Sequence, residues 1–310
     1  MRPLSSFRST FTSIAVLCVV AVTAFTNASA KGNSSPASSG KIPITTKSDE
    51  AKTNYLHGQE LFDKLQANAS RSYFDKAIAL DPDFASAELA RANSSPTAAE
   101  FFEHQKKAMD LAGKASEGER LLIWATNAGS NGEVVKQKEY LEKVTTLYPN
   151  DERAQFALAN YYFGQQDLNA AVEHYKKATA IAPDFTPAYN VLGYAYRQKG
   201  DFANAEEAFK KYIELLPNDP NPYDSYAELL LKMGRFDDSV TQYNKALSID
   251  PHFNLSRFGI AADLTYTGKA GEARTVLQQM GIWREMMVSS VPPTSGWPWL
   301  TPTVGITREP

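Results

Sequence analysis

Apolar residues recur at helical spacing in both halves of residues 186–219. In the first half, the residues that share one helical face are Tyr189, Leu192, Gly193 and Tyr196. In the second half, they are Ala205, Phe209 and Tyr212. Gly200 ends the first helix and Asp201 caps the second, because glycine tolerates the left-handed conformation and a carboxylate accepts from free helical N–H groups. The stretch therefore predicts a pair of helices that approach closely at their small residues.

This pattern returns along the chain with a period of 34 residues. Prolines with this spacing are Pro149, Pro183, Pro217 and Pro251. Aromatic residues with the same spacing are Tyr175, Phe209 and Tyr243, and the glycines are Gly200, Gly234 and Gly268. A fixed period of this length is typical of stacked repeats, in which each unit buries its apolar face against its neighbours.

The residues of this pattern resemble the tetratricopeptide repeat family. The motif positions matched in order are Tyr189, Leu192, Gly193, Tyr196, Ala205, Phe209 and Pro217. The resemblance covers about residues 51–287 and divides them into about seven units, which are 51–84, 85–117, 118–151, 152–185, 186–219, 220–253 and 254–287. The second and third units are degenerate, and the third has Trp124 and Ala125 where the motif has Leu and Gly. The resemblance implies an all-α fold, a right-handed superhelical solenoid of antiparallel helix pairs whose first helices form a concave face.

The first thirty residues have the pattern of a secretory signal peptide. Arg2 and Arg8 precede the apolar run 14–25, and an Ala-Ser-Ala triplet follows at 28–30. The run is shorter than the roughly 20 residues that a membrane-spanning helix needs. We therefore expect cleavage after the triplet, export to the periplasm or the medium, and no stable membrane insertion afterwards. An uncleaved anchor and a lipoprotein attached through Cys18 are the alternatives.

Two segments lie outside the repeat pattern. Residues 31–50 are rich in Ser, Gly, Pro and Thr, and such a segment buries too little apolar surface to offset its ordering entropy. We expect it to be a flexible linker. Residues 288–310 form an irregular proline-rich tail, for which two interpretations stay open. It is either a genuine capping segment or the product of a frameshift near Gly281, since another reading frame can encode a continuation of the repeat.

The last unit is expected to expose an apolar face, because a solenoid needs a polar cap at its end. The residues expected to face a missing successor are Phe258, Leu264, Val276 and Leu277. Helix 272–280 is expected to be the last regular element.

Composition and charge exclude several classes of function. The chain has 310 residues, of which 43% are hydrophobic and 22% charged, which is typical of a globular protein. A net charge of −3 leaves no basic footprint, so we expect no nucleic-acid partner. The only cysteine, Cys18, lies in the predicted signal peptide, so no thiol or disulfide chemistry is expected after cleavage.

No group of residues has the pattern of a catalytic or metal site. The four histidines are His57, His104, His174 and His252. Each falls in a different unit, without a second ligand at metal spacing. His174 stands where two other units have Ala208 and Gln242, which favours a solvated side chain. We expect no enzyme activity, no cofactor and no metal.

The resemblance implies that five positions of each unit line a peptide-binding groove. In the three strongest units these residues are Arg153, Phe156, Asn160 and Phe163, then Asn190, Tyr194 and Arg197, then Asn221, Asp224, Glu228 and Lys232. Amides can bond a peptide backbone, aromatic rings can cover its side chains, and arginine is a frequent anchor. Phe156 and Tyr194 stand where the family's dicarboxylate clamp has polar groups, which disfavours capture of a chaperone tail. The alternative is that these residues only pack and solvate the inner wall.

Two hypotheses for the function follow. The first is an exported, non-enzymatic scaffold that binds a protein or peptide segment in its concave groove. The second is a truncated repeat module of a cell-envelope enzyme complex, or of a signalling or sensor protein. It is motivated by the degenerate units and by residues 116–122, which resemble a stretch found in repeat arrays attached to bacterial signalling enzymes.

Overall fold

The protein is described by a computed structural model, which covers residues 40–278. All regular structure in this part of the chain is helical. The chain forms two compact units, unit 1 up to Leu158 and unit 2 from Ala159 onwards. The predicted signal peptide, residues 31–39 of the predicted linker and the tail at 288–310 lie outside the described residues.

Unit 1 is built from helices that pack in sequential pairs. They are α1 (Asp49–Asp63), α2 (Ala67–Leu80), α3 (Ala85–Asn93), α4 (Ala98–Leu111), α5 (Glu117–Ser130), α6 (Val134–Leu147) and the first residues of α7 (Glu152–Gly164). The pairs are α1 with α2, α3 with α4, and α5 with α6. A short 3₁₀ turn, Ala112–Lys114, follows α4.

Unit 2 continues the same plan. Its helices are the end of α7, then α8 (Leu168–Ile181), α9 (Thr186–Lys199), α10 (Phe202–Leu215), α11 (Pro220–Lys232), α12 (Phe236–Ile249), α13 (Asn254–Tyr266) and α14 (Ala270–Gln278). The helices α9, α11 and α13 each pack against the helix that follows them. The prediction of an all-α fold made of antiparallel helix pairs is confirmed within each unit. None of the helices just described combines the length and hydropathy that crossing a bilayer requires.

Close approach within a pair depends on a glycine of the first helix. A Cβ added at Gly193 would lie 2.6 Å from the ring of Phe209, which is fully buried. Gly58 stands in the same relation to Phe74 in unit 1, again at 2.6 Å. Any larger residue would force the ring and the helix apart. The close contact predicted at Gly193 is confirmed.

The turn inside every described helix pair except α3–α4 contains one residue with positive φ. In unit 2, Gly200, Gly234 and Gly268 supply it, with φ of 77°, 75° and 79°. Leu65 and Gln166 adopt φ of 60° and 62° at the turns after α1 and α7. The left-handed conformation costs an L-residue about 1–2 kcal/mol, so these two turns are strained where the glycine turns are not.

The prediction of a flexible linker over residues 31–50 extends too far towards the C-terminus. Residues 41–47, which we call the strap, lie extended along unit 1, and α1 begins directly after the N-cap Ser48. The strap backbone donates hydrogen bonds to Asp81, Glu119 and Asp151. Since these bonds reach across up to 109 residues of sequence, this part of the linker is an ordered element of unit 1.

The expectation of an exposed apolar face on the last unit is wrong for three of its four residues. Leu277 is buried against Ala261 and Ala273 of the same helix pair. Leu264 and Val276 pack on the cluster that contains Tyr243. Only Phe258 is exposed, at 47%. The described part of α14 spans 270–278, so it begins two residues earlier than predicted.

Candidate functional site

Most of the predicted groove residues of unit 2 lie on helices α9 and α11, which contact each other. Asn190, Tyr194 and Arg197 follow one another at intervals of four and three residues, which places them on one face of α9. Asp224 and Glu228, four residues apart, share a face of α11. The structure brings these five predicted residues together as one patch, which we call the inner patch.

Hydrogen bonds order the amide end of the inner patch. The hydroxyl of Tyr194 donates to Ser225 Oγ at 3.1 Å, and the hydroxyl of Ser225 in turn donates to Asn190 Oδ1 at 3.2 Å. The ring of Tyr194 also packs edge-on against Phe209, with 5.2 Å between centroids. Burial raises the pKa of Tyr194 far above its usual value, so the hydroxyl stays a donor at any ordinary pH. The phenol and the amide are therefore held in fixed orientations.

An ion pair occupies the other end of the patch. Arg197 Nη1 lies 2.9 Å from Glu228 Oε2, and the guanidinium lies 4.9 Å from the centre of the Tyr194 ring. The two charged side chains are 21% and 37% exposed, so both remain open to solvent. A guanidinium held over an aromatic ring loses less rotamer freedom when a ligand binds.

Asp224 lies deeper than the other members of the patch. It is 4% exposed and accepts a hydrogen bond of 2.6 Å from Ser256 Oγ on α13. Burial, with a smaller contribution from the charge of Glu228, raises the pKa of Asp224 to about 7. Half of these side chains are therefore neutral near neutral pH. Asp224 is a poor surface contact and a good support for α13.

The sequence pattern missed Ser225 and Ser256, which are almost fully buried and connect the patch across α9, α11 and α13. The one available signal was the position of Ser225 next to the predicted groove residue Asp224 on α11, and no signal indicated Ser256. It also missed Leu255 on α13, which is 54% exposed and three residues before Phe258.

The four groove residues predicted in the unit 152–185 lie on α7 and are engaged in other ways. Asn160 Oδ1 accepts a hydrogen bond of 2.7 Å from the hydroxyl of Tyr175, and Phe163 packs edge-on against the same ring. Both residues therefore support the core of unit 2. Arg153 and the half-buried Phe156 belong to unit 1. There Arg153 holds Asp63 with two hydrogen bonds, of 2.5 and 3.1 Å, so a ligand of Arg153 would have to compete with that carboxylate.

Two histidines have environments that the sequence did not indicate. His174, expected to be solvated, is half-buried and stacks on Tyr162 with 5.6 Å between ring centres, so that expectation is wrong. His104 Nδ1 lies 2.6 Å from Glu88 Oε2, and Glu88 is 4% exposed. Within residues 40–278, no group of three or more histidine, cysteine or acidic side chains is placed to hold a metal ion.

Comparison with known proteins finds a known repeat in part of the chain. Tetratricopeptide repeat models match residues 138–185, 156–220 and 221–253. These matches show that residues 138–253 consist of tetratricopeptide repeats, a fold that serves as a scaffold for protein–protein interaction. A search of curated proteins found no matching sequence.

Solved structures similar to this chain include other repeat proteins. The Cut9–Hcn1 hetero-tetramer of the APC/C has a TM-score of 0.51 at 20% identity, over 69% of this chain and 43% of the other. MamA has a TM-score of 0.47 at 22% identity, over 54% and 97%. The thermophilic repeat protein TTC0263 of Thermus thermophilus has 0.44 at 21%, over 69% and 99%. At these identities the likeness concerns the fold alone.

Proposed function

We propose that this chain is an exported, non-enzymatic scaffold that binds an extended segment of a partner protein on the inner patch of unit 2. The observation that carries the proposal is the arrangement of Tyr194, Arg197 and Glu228. These side chains are ordered by contacts with one another, and Arg197 and Glu228 remain partly open to solvent. Preordered aromatic and arginine side chains are the residues that most often dominate binding energy at protein interfaces.

The chemistry of the patch favours a peptide with both polar and charged groups. Asn190 and Tyr194 can exchange hydrogen bonds with a peptide backbone once Ser225 releases them. The pair of Arg197 and Glu228 can open to meet one carboxylate and one amine of a ligand. Because each protein group already has a partner, binding replaces existing bonds, and the net affinity depends on the complete set.

The proposal is tested by crosslinking and by substitution. A photoreactive benzoylphenylalanine at the exposed Gln198, beside Arg197, should crosslink one partner protein from the native extract. The same label at Lys211, on the opposite helix of the pair, should not. The variant Tyr194→Ala/Arg197→Ala/Glu228→Ala should bind that partner at least about tenfold more weakly, which corresponds to about 1.4 kcal/mol.

The matched control is Lys211→Ala/Glu214→Ala, which removes an exposed ion pair of the same kind from α10. This control should bind the partner as the unmodified chain does. Equal crosslinking from both labels, or unchanged affinity of the triple variant, would contradict the proposal.

Export is a separate part of the proposal. It is supported by the basic residues, the apolar run and the Ala-Ser-Ala triplet at the start of the chain. Mass spectrometry of the protein from its native source should find Lys31 as the first residue. A chain that begins at Met1, or a lipid on Cys18, would show that export by this route is wrong.

A further inference from the structure

The strap has the exposure pattern of a bound strand. Lys41, Pro43, Thr45 and Lys47 are exposed, whereas Ile42, Ile44 and Thr46 are half-buried. A period of two is that of an extended chain with one face on a surface. The strap therefore presents one apolar face to unit 1 and one basic face to solvent.

The surface beneath the strap carries three buried carboxylates. Asp81, Glu119 and Asp151 are 5%, 4% and 7% exposed, and they stand close to the starts of α3, α5 and α7. Each accepts one strap N–H: Asp151 from Ile42 at 2.9 Å, Glu119 from Thr45 at 3.0 Å, and Asp81 from Lys47 at 2.9 Å. The strap is thus held through its backbone at three successive helix pairs.

These carboxylates are held in place without the strap. Asp151 also accepts from Ala154 N at 2.8 Å, as the cap of α7. Glu119 closes a capping box with Ser116 at the start of α5. Asp81 accepts from Asp83 N at 3.2 Å. Because local helix ends fix all three, the surface keeps its acceptors when the strap is absent.

Two slots receive the isoleucine side chains. Ile42 lies over Gly118, where an added Cβ would come within 2.8 Å of both Ile42 and Tyr148. Ile44 packs on the cluster that contains Tyr55 and Phe84. The slots are two residues apart along the strap, so they suit aliphatic side chains at alternate positions of an extended chain.

Acidic side chains flank the slots. Lys41 pairs with Glu152, and Lys47 pairs with Asp83 at 2.7 Å. These pairs are largely exposed and contribute little to the stability of the strap. The pairs do favour a basic strand over an acidic one, because the side chains of an acidic strand would lie beside the surface carboxylates with no cation to pair with.

We propose that this surface, which we call the acidic track, is a second peptide-binding site, which takes an extended basic strand of a partner protein. The ligand has aliphatic side chains at two alternate positions, lysines at both flanks and free backbone N–H groups. The strap is the resident ligand and leaves when the partner strand binds. Its departure breaks contacts of residues 41–47 only and separates no helix pair, so it is a local opening.

The test uses the full chain with its strap released. In Ile42→Asp/Ile44→Asp, each slot would bury a carboxylate beside other carboxylates, so the strap should leave the track. The probe is a fluorescein-labelled peptide with the sequence of residues 40–48. Fluorescence anisotropy should show binding to this variant, and binding at least about tenfold weaker to the unmodified chain, whose track is occupied.

Two controls assign binding to the track. Gly118→Ala in the released variant closes the Ile42 slot and should abolish binding, whereas Gly113→Ala, where an added Cβ meets nothing within 4 Å, should leave it unchanged. A peptide methylated on the nitrogens that correspond to Ile42 and Thr45 should not bind, because it lacks two of the donors.

A measurement on the unmodified chain covers the case in which the released variant does not fold. Excess unlabelled peptide should accelerate hydrogen exchange at the amides of Ile42, Thr45 and Lys47. Unchanged exchange at saturating peptide would overturn the proposal. So would a folded released variant that binds no peptide, or equal affinity of both chains for it. Dimerisation of the unmodified chain through its own strap would make a second copy the occupant and would likewise overturn it.

Discussion

Units 1 and 2 support their helix pairs with different sets of contacts. In unit 2, the helices α8, α10 and α12 bury a large aromatic ring at the same position of the repeat, Tyr175, Phe209 and Tyr243, and a buried hydrogen bond from Ser256 Oγ to Asp224 joins two neighbouring pairs. In unit 1 neighbouring pairs are joined by buried polar contacts, such as Ser86 Oγ to Glu119 at 2.8 Å and Gln105 to Ser130 at 2.7 Å, and by the strap. Both units therefore join neighbouring pairs with buried hydrogen bonds, and unit 1 adds to them a strap that lies outside the repeat.

The largest expected effect comes from removing one of the repeated rings. Phe209→Ala empties a fully buried site against Gly193 and should lower the free energy of unfolding by about 3–5 kcal/mol. Urea unfolding measures the loss, and hydrogen exchange should place it in α9–α12. Phe102→Ala, at a ring 37% exposed, should cost far less. Equal losses would show that the buried ring is not what holds these pairs.

The two units should respond to pH in opposite directions. In unit 2, burial raises the pKa of Asp224 to about 7 and that of Asp263 to about 6. The folded state therefore keeps protons that the unfolded state loses near pH 4, and unit 2 should lose stability as the pH rises from about 4 to about 7. Over this pH range, Asp224 alone should lower the free energy of unfolding by roughly 4 kcal/mol.

In unit 1 the dependence of stability on pH has the opposite sign. Burial alone would raise the pKa of Asp81, but hydrogen bonds from Thr46 and Lys47 lower it. The stability that Asp81 contributes is therefore present above about pH 4 and is lost as the pH falls further. Hydrogen exchange at several pH values should separate the two trends. Asp224→Asn should flatten the trend in unit 2, while the exposed Asp184→Asn should not. Parallel trends in both units would contradict the assignment.

A smaller loss is expected at the strap. Glu119 accepts hydrogen bonds from Ser116 N, Thr45 N and Ser86 Oγ. Glu119→Ala removes this acceptor from Thr45 N and Ser86 Oγ, while Ser116 N keeps a second acceptor in Thr45 Oγ1, and the substitution should cost about 2–3 kcal/mol, with faster exchange in the strap. Chemical denaturation measures the cost, and the exposed Glu139→Ala is its control. If the strap amides stay protected in Glu119→Ala, the backbone bonds are not what retains them.

The smallest expected effect is a gain. Leu65 has a positive φ and is 58% exposed, so Leu65→Gly relieves strain without removing a buried contact. We expect stabilisation of about 0.5–1 kcal/mol, because the relief exceeds the extra entropy of glycine in the unfolded chain. Thermal unfolding should show a higher midpoint. The reverse substitution Gly200→Leu should destabilise unit 2, and a gain there would mean that turn strain is negligible.

The parts of the fold that follow a period could be predicted from the sequence, and the parts that depend on remote contacts could not. Gly193 and Phe209 are in contact as predicted, because every repeat presents the same two positions to each other. The strap was assigned to a flexible linker because its composition is polar. Its order comes from carboxylates at Asp81, Glu119 and Asp151, between 34 and 109 residues away.

For the inner patch, too, the sequence predicted the residues at repeated positions but not their contacts with remote residues. Family positions gave Asn190, Tyr194 and Arg197, because groove positions recur with the repeat. They did not show that Tyr175 uses Asn160 or that Asp63 holds Arg153. Those partners lie 15 and 90 residues away, and neither distance is a multiple of the period.

The place of the strap in the chain sets the order in which unit 1 is assembled. The strap is synthesised first, but its partner Asp151 follows Ile42 by 109 residues. At about 5–20 residues per second, the ribosome needs roughly 5–20 s to make that interval. Local helix pairs form much faster than this, so α1 to α6 fold before the last acceptor of the strap, Asp151, has been synthesised. Until Asp151 is made, the track has only two of its three acceptors, so the strap completes its contacts only after the start of α7 has been synthesised.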